Sequence, residues 1–112
     1  MNEIALRCAV VAVAAWAIAR VPEAQGAPSG RELFTKNCAQ CHGKDGHGFT
    51  PMGKQLRIKD LTASKLGDAQ IRTQIMDGTK DAKGTVRMAA FKDKISVEDV
   101  EQLVAFVKSL RH

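Results

Sequence analysis

Five consecutive residues, Cys38-Ala39-Gln40-Cys41-His42, carry the chemistry most readily read from this sequence. On a helical turn, side chains three and four positions apart emerge on one face, so both thiols and the His42 imidazole project the same way. Each thiol can then form a thioether to one of the two vinyl groups of a porphyrin, while a ring nitrogen of His42 reaches the central iron. Cys-x-x-Cys-His is the pattern of covalent c-type haem attachment. Three other readings compete. A structural zinc site needs four ligands, and no second Cys or His pair follows downstream. A thioredoxin-like redox pair wants a βαβ context, which the pattern lacks. A structural disulfide suits an oxidising compartment but leaves the core poor, because the 112 residues hold four Phe, one Trp and no Tyr. A domain this short is marginal without a staple, and a haem plate would fill its centre.

The elements that must position these residues are helical. Ser29 and Glu32 spell a capping box, and the helix they open carries Leu33 and Phe34 on its apolar side before running into the pentapeptide. The Gly-rich run GKDGHGFTPMGK, residues 43–54, reads as an irregular loop. In it, Gly43, Gly46 and Gly48 either let the backbone pass close to the haem or serve turns. A helical stretch returns over Ser64–Asp77, with Ile71 and Ile75 one turn apart and Gly78 placed to end it. A second loop, Thr79–Arg87, follows. The last helix has Ser96 as N-cap, Asp99 at its third position, Ile95 and Val100 set for a hydrophobic staple, and Lys108 and Arg111 suited to its C-terminal dipole. Its inner face is Val100, Leu103, Val104, Val107 and Leu110, with Phe106 beside it. No stretch alternates in period two long enough for a convincing strand, and there is no internal repeat. The expectation is an all-α fold of three to four short helices wrapped around one covalently attached haem.

Upstream, Cys8–Ala19 is an unbroken apolar run between Arg7 and Arg20. A spanning helix needs about 20 apolar residues, whereas the core of an export signal needs only about 7 to 15. Cleavage after Gly26, with Ala24 at the third position back, fits the small-residue rule; cleavage after Ala19 is the rival. An uncleaved anchoring helix is the bland alternative, favoured by Glu3 in an otherwise positive leader. Cys8 lacks a lipobox, since Arg7 precedes it. Residues 1–26 are thus read as a cleaved export signal and residues 27–112 as a periplasmic domain with no stable membrane span. Losing Arg7, Arg20, Glu3 and Glu23 leaves the net charge of +5 unchanged. Scattered charge, scarce aromatics and export exclude a nucleic-acid partner; an acidic protein patch or a membrane surface fits better.

Taken together, these residues resemble those of a small bacterial monohaem class I c-type cytochrome, over Gly30 to Leu110. Gly30 and Phe34 resemble that family's first-helix residues, where a glycine permits close crossing by the last helix and an aromatic packs on it. Leu103 and Phe106 resemble the last-helix partners, with Phe where the family often has Tyr. Met88 followed by Phe91 resembles the Met-Pro-x-Phe loop, whose methionine binds iron opposite the histidine. Ala89 departs from the pattern by replacing the usual proline, which implies a less rigid loop and a more displaceable iron bond. Met52, Met76, His47 and Lys80 are the other candidates for the sixth position. Met76 sits at a core spacing, Met52 lies close to the pentapeptide, and His47 between two glycines reads as a solvated loop residue. The resemblance also implies that the Pro51 carbonyl accepts a hydrogen bond from the second ring nitrogen of His42; a simple turn proline is the competing reading.

The function implied is one-electron transfer through a single haem c attached at Cys38 and Cys41, with His42 and Met88 as axial ligands, in a soluble exported carrier. With both axial positions filled, substrate chemistry at iron is discouraged, and no catalytic constellation of an enzyme in its own right emerges. Lys44, Lys54, Arg87, Lys92 and Lys94 flank the haem-contacting loops and form either a basic collar for an acidic redox partner or a generally solvated surface. The alternatives are a haem c subunit of an exported oxidoreductase complex, and a ligand-binding haem protein if Met88 does not hold the iron.

Overall fold

The computed structural model describes residues 12–14 and 26–112. The export signal expected at residues 1–26 therefore lies almost wholly outside the described residues. Helix α1, Gly30–Asn37, opens as its sequence demands: the Ser29 hydroxyl accepts from the Glu32 N–H, and the Glu32 carboxylate accepts from the Ser29 N–H. The helix does not run smoothly into the pentapeptide. It breaks at Cys38 (φ −121°, ψ −29°), and a single turn, α2, follows over Ala39–His42. Helix α3, Pro51–Leu56, stands within the expected irregular loop, with Thr50 as N-cap and Pro51 at the first helical position, where a missing N–H costs nothing.

A 3₁₀ turn, Leu61–Ala63, precedes α4, Asp68–Asp77. The expected start of α4 at Ser64 is late by a turn in the structure, because Ser64 closes the 3₁₀ turn in extended conformation. Gly78 ends α4 at φ +66°. The segment read as a loop instead folds back as a short antiparallel pair, β1 Thr79–Lys80 and β2 Val86–Met88, with Thr79 opposite Met88 and a bulge beside it. Strands this short cannot show alternation in a sequence. Helix α5, Val97–Ser109, follows the sequence closely: the Ser96 hydroxyl caps the Asp99 N–H at 3.1 Å. Among the described residues, no helix is long and apolar enough to cross a membrane.

The core lies where α1 and α4 meet α5. Phe34, Val100 and Leu103 are each 1% exposed, with Leu33, Ile71, Ile75, Val104 and Val107 buried around them. The crossing of α1 and α5 depends on Gly30: a Cβ there would lie on the Gln102 carbonyl oxygen and 2.8 Å from Phe106 Cβ. Absence of that methyl lets the helices close enough for Phe34 and Phe106 to meet at 5.0 Å, tilted by 52°, within the favoured range for aromatic pairs. The glycine and aromatic roles expected from the resemblance are those the structure displays. Two exposed ion pairs, Lys108–Asp68 and Arg72–Glu101, fasten α4 to α5.

Candidate haem-binding site

The pentapeptide turn is held by its own backbone. The His42 N–H donates to the Cys38 carbonyl at 2.9 Å, and the His42 carbonyl accepts from Gly48 at 2.7 Å. Thr50 adds a side-chain tie, donating to the Cys41 carbonyl at 2.7 Å while accepting the Gly53 N–H at 2.9 Å, so α3 is fixed to the turn. Phe34 packs on the other side, 6.2 Å from the His42 ring. As the spacing requires, Cys38, Cys41 and His42 line one cavity of about 1060 Å³. An adjoining apolar hollow of about 50 Å³ shares Cys38, His42 and Met88 and reaches the core at Phe34 and Leu103.

The side chains present suit a haem c. Both thiols are half-buried and unbridged. Burial, and then Cys41 beside it, pushes the Cys38 thiol up to about 11; a thiolate nucleophile of the thioredoxin kind needs the opposite shift. Burial lowers the His42 pKa, which keeps the imidazole neutral with a lone pair for a metal. His42 Nδ1 is buried with no hydrogen-bond partner in the structure, an arrangement that costs about 1–3 kcal/mol unless the site supplies something further. No group of three or more His, Cys, Asp or Glu side chains suited to a metal ion occurs among the described residues.

One expected contact is not made. Pro51 lines neither hollow and its carbonyl does not meet His42 Nδ1. Pro51 is the first residue of α3.

The candidates for the sixth ligand separate by position. Met88 lines both hollows. Met52 lines the larger and is 38% exposed. Met76 packs against the core and lines neither, and Lys80 lies exposed on β1. His47 is not simply solvated: Nδ1 pairs with Asp60 Oδ2 at 2.8 Å, and its ring stacks on Phe49 at 5.5 Å. Met88 is placed by distant backbone. It pairs with Thr79, and Phe91 and Lys92 donate to the Ile75 and Met76 carbonyls at 2.9 and 3.2 Å.

Of the five cations expected as a collar, only Arg87 lines the cavity; Lys44, Lys54, Lys92 and Lys94 do not. The sequence reading missed Arg57, Lys59 and Lys65, which line it together with Asp60. Asp60 is itself engaged by His47 and by Thr62, whose hydroxyl donates at 2.7 Å. It also missed Thr50, although Thr-Pro is a helix-start signal.

Short helices around a cavity that pairs free thiols with a neutral, half-buried imidazole define a haem-binding electron-transfer domain. Known proteins agree. A family pattern described as Cytochrome C oxidase, cbb3-type, subunit III matches residues 25–107. Cytochrome c6 of Synechocystis sp. is 31% identical over 105 residues, covering 93% of this chain and 82% of that protein. Cytochrome c6 of Bryopsis maxima is 32% identical over 78 residues, 70% of this chain and 84% of that one. The cbb3-type cytochrome c oxidase subunit FixP of Rhizobium meliloti is 33% identical over 81 residues, 72% of this chain but 26% of FixP. Among solved structures, the KustC0563 c-type cytochrome superposes with a TM-score of 0.65 at 30% identity, covering 76% of this chain and 100% of that one. The chain belongs to this cytochrome c family. It is an electron-transfer domain and not an enzyme in its own right.

Proposed function

We propose that this protein is an exported one-electron carrier that holds a single haem c through thioethers at Cys38 and Cys41, with His42 and Met88 as axial ligands. The observation that carries this reading is the convergence of Cys38, Cys41, His42 and Met88 on one cavity of about 1060 Å³. When bound, the haem supplies a ferric/ferrous couple, and a thioether ligand raises its potential relative to two nitrogen ligands. The chain's part is positional. Phe34 and Thr50 fix the turn that carries His42, the β1–β2 pair sets Met88, and the buried core keeps both in place as charge changes. Arg57, Lys59, Lys65 and Arg87 give the cavity a positive lining, which favours docking on an acidic redox partner and weakens that docking as salt is added. The apolar run Cys8–Ala19 supports export, and thioether attachment is a use for two cysteines in an oxidising compartment.

The test is expression in a host competent for cytochrome maturation. The product should carry haem through denaturation, show a low-spin spectrum in both states, and bind carbon monoxide slowly when reduced. The double variant C38S/C41S should emerge colourless. Rapid carbon monoxide binding by the unaltered protein would instead support an open sixth position.

A second reading is favoured by the family pattern and by FixP: a haem c subunit held in an oxidoreductase complex, the oxidation chemistry belonging to its partner. Co-purification of a stoichiometric partner at high salt would select it.

A further inference from the structure

The segment carrying Met88 lacks the proline that would stiffen it, and Ala89 and Ala90 after it are exposed. On one side it rests on α4: Gly78 packs so closely that a Cβ there would meet the Met88 carbonyl oxygen and lie 2.9 Å from the Ala89 carbonyl carbon. On the other side the tie comes from the neighbouring residue. The half-buried Arg87 reaches across 31 positions of sequence, and its Nη2 donates to the Leu56 carbonyl. Leu56 is the last residue of α3, so this carbonyl is one of those the helix leaves open, and a cation suits that end. Both Arg87 and Leu56 line the cavity. Helix α3 is in turn fastened to Cys41 through Thr50. Arg87 therefore closes a mechanical circuit around the cavity, from the segment with Met88, through α3, to the turn with Cys41 and His42.

We propose that Arg87 is a positioning residue, a clamp that holds the Met88 segment on the end of α3 and so resists displacement of the methionine sulfur from iron. The proposal rests on the reading of Met88 as the sixth ligand. The clamp supplies from a distance the stiffness that Ala89 does not supply locally. A role in docking alone would depend on the charge of Arg87 and leave the iron–sulfur bond unaffected.

The experiment is a titration of the ferric holoprotein with imidazole, following the weak charge-transfer band that a methionine sulfur gives on ferric haem. R87M keeps an unbranched stem and loses both the charge and the donors; R87K keeps the charge and one donor group; urea unfolding is recorded for each. Imidazole should displace the sulfur about fivefold more readily in R87M, the factor a net hydrogen bond contributes, with R87K between R87M and the unaltered protein. An imidazole midpoint in R87M equal to that of the unaltered protein overturns the clamp while leaving Met88 as ligand. Should R87M yield no holoprotein, R87K decides by the same criterion, an unchanged midpoint again overturning the clamp. Absence of the band from the unaltered protein overturns the Met88 reading first, and the clamp with it.

Discussion

The two walls that carry the iron ligands are built differently. The ties on the His42 turn itself are short in sequence: Cys38 to His42, His42 to Gly48, Cys41 to Thr50, Thr50 to Gly53. Around Met88 the contacts with Thr79 and Gly78 span no more than about ten positions, but the segment is also tied back farther, by Phe91 to Ile75, Lys92 to Met76 and, across 31 positions, Arg87 to Leu56. The histidine wall is a local structure that its own sequence nearly dictates. The methionine wall exists only once α3 and α4 are in place. Such an arrangement lets the attachment turn form early while the sixth ligand remains the more displaceable partner, because non-local contacts carry the larger loop-closure cost.

The sharpest way to break the comparison is G78A. Its methyl group would collide with the Met88 carbonyl oxygen, and Gly78 sits at φ +66°, which other residues adopt only with strain. The variant should lose about 2–3 kcal/mol in urea unfolding, within the range for forced overpacking. It should also lose the methionine charge-transfer band and bind carbon monoxide quickly when reduced, with the thioether-bound haem retained. Retention of the band at full strength would show that the two walls are not separable in this way.

The complementary change is T50V, which removes both the cap of α3 and the tie to Cys41 while keeping the shape of the side chain. A lost helix cap of this kind costs about 1–2 kcal/mol. The methionine band should survive, because the segment with Met88 is held chiefly through α4. Equal loss of the band in T50V and G78A would mean that α3 holds Met88 as strongly as the α4 contacts do.

The same asymmetry explains what could be read in advance. Ser29 with Glu32, Ser96 with Asp99, and the pentapeptide are signals whose partners lie within a turn, and each appears as its sequence demands. The inner face of α5 was legible because helical spacing repeats over three turns, and Val100, Leu103, Val104 and Val107 are all buried. Helix α3 was hidden by the glycines around it, although Thr50-Pro51 announces its start. The β1–β2 pair was hidden because two or three residues are too few for alternation to register. Arg57, Lys59 and Lys65 become cavity residues only through the path of the chain between α3 and α4. Pro51 begins α3, and no hydrogen bond joins its carbonyl to His42 Nδ1 in the structure.

The smallest effect sharpens the histidine wall further. The loop between α2 and α3 is closed by His47 on Asp60, with side chains 32% and 35% exposed. The hydrogen bond that His47 donates to Asp60, more than the nearby Asp45 charge, raises His47 above its ordinary 6.5. Hydrogen bonds from His47 and then Thr62 hold Asp60 down at about 2, against an ordinary 3.8. A raised histidine contributes stability that is complete below 6.5 and fades as pH climbs through its folded value. A lowered carboxylate contributes stability that is complete above 3.8 and fades as pH falls toward about 2. Their shared contribution is therefore fullest between those two ordinary values, and salt should shrink it because both groups touch solvent. Thermal unfolding of the holoprotein against pH should show H47Q losing the decline above 6.5 attributable to this pair and part of the acid limb, with Thr62 still holding Asp60. The methionine band should be indifferent throughout, since neither His47 nor Asp60 touches the β1–β2 pair. Identical profiles for H47Q and the unaltered protein would remove this pair from the account of how the loop is closed.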